Sequence, residues 1–257
     1  MKSTAAHRRF TGRSLVLFFI FAVLLSSCQT TRTSLKTNAD LYAAAVADAA
    51  KQAEQKDVFP LAEITKDSTD VTWNADGTKV LIVSWHHYPD SYAQGKTYTK
   101  GGWELWGVSL KEFKNWYRQN NKGVADWNLR FKQLMGLPES KNHTHFSAMW
   151  ISPDCLLRPA YETSVAKQMS TSFSADFLST EYGKKYKQWF NSNAEYSYGS
   201  DNPYPWTRLG YTYDWADNKT KKGLTEFFIP KDAPAEYTVE FTTTTEEFLR
   251  ILESSDY

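Results

Sequence analysis

The chain is poor in cysteine, in net charge and in long apolar runs. Its 257 residues include two cysteines, Cys28 and Cys155, which excludes a disulfide-stapled miniprotein. Lysine and arginine number 30 against 29 acidic residues, a net charge of +1. That balance gives no electrostatic footprint for DNA or RNA, so no nucleic-acid partner is expected. No apolar stretch reaches the ~20 residues that a membrane-spanning helix needs. There is no G-x-S-x-G elbow, no H-E-x-x-H pair and no phosphate-binding P-loop. No cofactor is expected on the strength of a motif. What the chain does have is apolar and aromatic mass: 41% hydrophobic residues, with 10 Trp and 15 Tyr. That suffices for a sizeable core and excludes a disordered chain.

The amino terminus is organised differently from the rest. Lys2, Arg8, Arg9 and Arg13 come first, without an acid, and Leu15–Leu25 is then an unbroken apolar run of 11 residues. This length fits the apolar region of a secretory signal. The run closes on Leu25-Ser26-Ser27-Cys28, in the order leucine, small, small, cysteine. The segment resembles a bacterial lipoprotein signal. The resemblance implies cleavage after Ser27, a diacylglyceryl thioether on Cys28 and an acylated new amino terminus. Several acyl chains make attachment effectively permanent, because each buried methylene adds ~0.8 kcal/mol. The expected location is the cell envelope, with the chain lipid-anchored to a membrane. Gln29 in place of an aspartate favours the outer membrane if the organism is Gram-negative. Removing residues 1–27 takes away four basic residues and no acid, leaving 26 basic and 29 acidic. The mature charge is then about −3, and no internal disulfide is possible.

Three segments are expected: a signal at 1–27, a lipidated cysteine with tether and helix at 28–57, and one domain at 58–257. Gln29–Asn38 is rich in Thr and Ser and reads as a flexible tether. Ala39–Lys56 contains eight alanines and no Gly or Pro, which predicts a helix with Asn38 as its N-cap. Its apolar face is thin, so the helix is expected to lie loosely on the domain or to stand as a stalk. Further on, Val71–Asn74, Asp76-Gly77 and Val80–Trp85 make a hairpin signal. Val80–Val83 is apolar on both alternating faces, as in a central strand. Trp103–Val108, His143–Ser152, Leu209–Trp215, Leu224–Ile229 and Tyr237–Thr242 read as further strands. Helices are expected from Leu110, with Ser109 as N-cap and Glu112 at the capping-box position. Others are expected at Trp127–Met135, from Leu178 to Phe190 and at Thr245–Leu252. Strands and helices mix without a regular βαβ rhythm. The expected fold is α+β, a single domain with a largely antiparallel sheet flanked by helices.

Several stretches resemble a family of uncharacterised bacterial proteins. They are Gln133–Pro138, Thr144-His145-Phe146 through Met149-Trp150 to Arg158-Pro159, Pro205–Trp215 and Gly223–Phe227. The string Trp206–Trp215 is the most specific. The resemblance implies one coherent domain and supplies no mechanism.

Candidate chemistry falls in four places. His86-His87 ends one expected strand and His143-x-His145 begins another. If these strands are antiparallel neighbours, His86, His143 and His145 could share a metal, since residues two apart on a strand share a face. Polar strand ends are the competing reading. Cys155 could serve as a nucleophile only with a histidine base nearby. It reads better as a small buried residue. Arg158, in a loop with Asp154 and Glu162, could clamp a carboxylate or simply pair with Asp154. Ten aromatics crowd Tyr186–Trp215, including Trp206 and Tyr211, with Arg208 and Asp214 beside them. Aromatic faces stack on sugar rings, so these residues are candidate ligand contacts; a core rich in aromatics is the alternative. The expected function is binding or scaffolding in the envelope, with a glycan, peptidoglycan or envelope protein as partner. The alternative is an envelope hydrolase with a histidine-containing site.

Overall fold

Val80-Leu81-Ile82-Val83 is apolar at every position, so both its faces must be covered, and the structure covers both. In a computed structural model that describes residues 36–217 and 220–257, the strand Val80–His86 (β1) is the middle of seven. The others are β2 (Thr97–Thr99), β3 (Leu105–Ser109), β4 (His145–Ile151), β5 (Tyr211–Tyr213), β6 (Lys222–Ile229) and β7 (Glu236–Thr244). Their order is β2-β7-β4-β1-β3-β6-β5, and every neighbouring pair is antiparallel. Among the described residues six helices accompany the sheet: α1 (Asn38–Ala49), α2 (Leu110–Asn120), α3 (Trp127–Leu134), α4 (Ala175–Ser179), α5 (Glu181–Gly199) and α6 (Thr245–Glu253). The α+β antiparallel architecture expected from the sequence is the one observed. Among the described residues, no helix is long and apolar enough to cross a membrane. Cys28 and residues 1–35 lie outside the described residues.

The two faces of the sheet are covered differently. Leu81, Val83, Trp85, Phe146 and Ala148 point to one side and pack on Phe113, Phe131 and Phe248 of α2, α3 and α6. Phe146 stacks on Phe248 at 3.9 Å. Val80, Ile82, Met149, Phe227 and Val239 point to the other side, where Ile64, Val71 and Leu156, none of them in a helix or strand, close the core. Farther along the helical face, α5 lies over β6, and Trp189 stacks on Phe228 at 4.7 Å. Helical cover is thus split between the α2–α3–α6 group and α5.

Several local expectations shift. The first helix is capped by Thr37 rather than Asn38, through a capping box with Asp40, and it ends at Ala49 rather than Lys56. It is no stalk. Ala45 and Ala49 are buried, Tyr42 meets Trp215 edge-on at 5.5 Å, and the Tyr42 hydroxyl donates to the Pro203 carbonyl. The compact unit therefore runs from Lys36 to Tyr257, not from residue 58. The Asp76-Gly77 turn is present, but its first arm is a single bridge, Trp73 to Val80. Ser109 caps α2 as expected, accepting from the Glu112 amide. The Glu112 carboxylate does not close the capping box; it accepts instead from the amide and hydroxyl of Thr225. The short edge strand β2 pairs with β7 and has no signal in the sequence reading.

Candidate functional site

The split between the helical groups leaves a cleft over β3, β5 and β6. One rim is set by the end of α3. Gly136, at φ +67°, adopts the left-handed conformation that glycine tolerates best. Its amide donates to Gln133 O and the Leu137 amide to Lys132 O, a Schellman ending. The Thr212 hydroxyl donates to Leu134 O and accepts from the Leu224 amide, which ties this ending to the sheet. The opposite rim is Asn193, Tyr196 and Ser197 of α5, with Tyr204, Pro205 and Trp206 following. The enclosed volume is about 390 Å³. A recess of about 140 Å³ shares Trp106, Met135, Leu137, Thr212 and Glu226 with it and leads on to Trp85 and His143.

Polar groups in this cleft divide into satisfied and unsatisfied. Glu104 accepts from two indoles, Trp106 Nε1–H at 2.9 Å and Trp189 Nε1–H at 2.7 Å. The third indole, Trp206, is 7% exposed, and its Nε1–H has no partner among the described residues. His143 Nδ1 is likewise buried and unpartnered, and burial, ahead of the nearby Lys141, holds the ring down at about 4. Glu226 lies opposite Val108 on the helical face of the sheet. Glu226 lines both the cleft and the recess. Among the described residues no side-chain hydrogen bond or ion pair reaches it, and burial alone pushes it up to about 8. A carboxyl raised that far is protonated at neutral pH and donates as well as accepts.

The structure separates the expected site residues. Trp206, Tyr211 and His143 line the cleft or its recess. The Tyr211 hydroxyl itself donates to Asp57 O. The loop Asn202–Trp206 turns inward, with Pro205 and Trp206 buried. Arg208 donates to the Ala49 and Lys51 carbonyls and finishes α1. Asp214 accepts a bidentate pair from Arg130, at 2.6 and 3.0 Å. Arg158 does not meet Asp154. It is fully buried and donates to the carbonyls of Ala62, Val165 and Lys167.

The three histidines do not converge. His86 does sit opposite His145, because β1 and β4 are antiparallel neighbours. But β4 begins at His145, and the two-residue rule does not extend back to His143. The His143 ring packs against Trp85, on the helical face, and stacks with His87 at 5.9 Å. His86 faces the opposite side. Its Nδ1 accepts from the Tyr88 amide, so its Nε2–H donates to Ser147 Oγ at 2.7 Å. Ser147 and Thr242 hydroxyls bond each other, and Thr242 donates to Tyr92 O. Among the described residues, no group of three His, Cys, Asp or Glu side chains is placed to hold a metal ion. Cys155 lies in a turn after β4, where burial and Asp154 push the thiol up, away from thiolate.

Glu226 is the residue that the sequence reading missed. Its signal was available: one acid inside the apolar run Leu224–Ile229, where a buried charge demands an explanation. Comparison of the chain with protein-family models, with curated proteins and with solved structures gave no match.

Proposed function

We propose that the chain is a lipid-anchored protein of a bacterial envelope whose domain binds a ligand in the cleft over β3 and β6. One observation carries the binding reading. Glu226, Trp206 and His143 all line connected space, and the Glu226 carboxyl, the Trp206 indole N–H and His143 Nδ1 have no partner among the described residues. Leaving a buried polar group unpaired costs about 1–3 kcal/mol; among the described residues Arg158 Nε, Ser200 Oγ and Arg208 Nε are buried and unpartnered as well, but none of these three residues lines the cleft or its recess. A small molecule with apolar bulk and polar contacts fits a concave site of this kind. The anchoring reading is supported by the basic start, the Leu15–Leu25 run and Leu25-Ser26-Ser27-Cys28. It places a glycan, a peptidoglycan fragment or an envelope protein within reach, and the concavity favours the smaller ligands.

Thermal-shift measurements with sugars and muropeptides test the binding reading. A shift that vanishes in Asn193→Trp, which fills the cleft from α5, supports it; an equal shift in that variant counts against it. Loss of lipid labelling in Cys28→Ser tests the anchor. The elevated Glu226 favours a second reading, a hydrolase in which this carboxyl is the general acid. Turnover of an envelope glycan that Glu226→Gln abolishes would support that reading.

A further inference from the structure

The cleft lacks one thing that an acidic site ordinarily contains, which is a counter-charge. Its acidic residues are Glu104 and Glu226; among the described residues neither Lys nor Arg lines the cavity or its recess. Glu104 is occupied by two indole N–H groups. Glu226 has no donor at all among the described residues. We propose that the ligand supplies the missing charge: the cleft takes an organic ammonium ion, a protonated amine on an apolar or ring body, with its nitrogen on the Glu226 carboxylate. This rests on the reading of the cleft as a binding site and names its ligand class.

The walls suit such a ligand. Trp106 and Trp206 line the same cleft as Glu226, and aromatic faces attract ammonium groups. Met135, Leu137 and Pro205 supply apolar contact for the body. An anion would meet two carboxyl groups and no cation. A neutral apolar body would leave Glu226 unpaired.

The proposal fixes a proton balance. Glu226 holds its proton when the cleft is empty and loses it when a cation arrives. The carboxyl O–H bond breaks, the proton passes to the buffer, and the ammonium keeps its own protons. For an amine that stays protonated, such as phenethylamine, binding therefore releases close to one proton per ligand at pH 7, and affinity rises about tenfold per pH unit up to about pH 8. The other titratable groups facing the cleft are Glu104 before β3, His143 before β4, Tyr196 on α5, and Tyr204, Tyr211 and Tyr213. The Glu226→Gln variant separates their effect from that of Glu226.

The test is isothermal titration calorimetry on the purified full chain, in two buffers of different ionisation enthalpy. The probes are phenethylamine against phenethyl alcohol, and glucosamine against glucose. In at least one pair the amine is expected to bind tenfold or more tightly than its neutral partner, with proton release. Glu226→Gln is expected to abolish both the preference and the release. The proton count is read on the wild-type chain, so it stands whether or not that variant folds. Equal binding of amine and neutral partner, or binding without proton release, overturns the ammonium assignment and leaves the cleft as a binding site. Failure of all four probes to bind overturns both.

Discussion

Replacing Glu226 by glutamine removes a penalty that grows with pH. In the unfolded chain this carboxyl titrates at its ordinary 4.5, and in the folded chain at about 8. Between those values the unfolded state gives up the proton and the folded state keeps it. The unfolded state then binds fewer protons, so stability falls as pH rises through this window. At 1.36 kcal/mol per pH unit, the full gap corresponds to about 5 kcal/mol, complete above pH 8. The carboxyl borders a solvent-reachable cleft, which screens it, so about 2–5 kcal/mol is a fair range. Glutamine is nearly the same shape and does not titrate. Urea unfolding of both proteins at pH values from about 5 to 9 reads the difference. At pH 5 the two should differ little. At pH 9 the variant should be more stable, its midpoint higher by about 1 M for a slope of about 2–3 kcal/mol/M. A difference that stays constant across pH would refute the reasoning, because it would mean that Glu226 ionises equally in both states.

Three other outcomes follow from the structure. His86 is held neutral, pushed down to about 4 by burial and then by His145 and His87. Only the unfolded chain takes up this proton between pH 6.5 and 4. Stability should therefore fall by about 3 kcal/mol as pH drops through that range, and His86→Gln should flatten this limb of the unfolding curve. Arg208 has φ +61° while its guanidinium finishes α1. Both Arg208→Gly and Arg208→Ala lose that contact, but glycine relieves the left-handed backbone. Thermal unfolding should rank the glycine variant above the alanine one by about 1 kcal/mol. Asp214→Ala strands Arg130, which is 15% exposed. Chemical denaturation should register a loss of about 3 kcal/mol.

The sheet was legible because its signals are local and concordant. Val80–Val83 has no polar face, Asp76-Gly77 sits before it, and Ser109 precedes a helical spacing of Leu110, Phe113 and Tyr117. Each dictates the same element from its own neighbourhood. The start of the domain was not legible, because α1 docks through Tyr42 and through carbonyls that Arg208 reaches from 159 positions away. An alanine face gives no sign of either. The histidine arrangement failed on a boundary. Two residues at the start of β4 decide whether His143 lies in the strand, and outside it the ring falls on the other face. The aromatic excess was legible as mass and not as place. Tyr186, Phe190, Tyr211 and Trp215 are core, Tyr196 is 60% exposed, and Trp206 lines the cleft. Glu226 escaped because its neighbours Phe227, Phe228 and Ile229 read as a buried strand, which they are. What makes Glu226 a site residue is the gap between α3 and α5 above it, and that gap is a property of the tertiary packing.

The central claim is that Glu226 is a carboxyl without a partner, neutral at physiological pH and open to a ligand. The most direct measurement is the carbon-13 shift of its side-chain carboxyl, assigned by its absence in Glu226→Gln and followed across pH. A midpoint at about 8 agrees with the account. A midpoint at the ordinary value of 4.5 would contradict it.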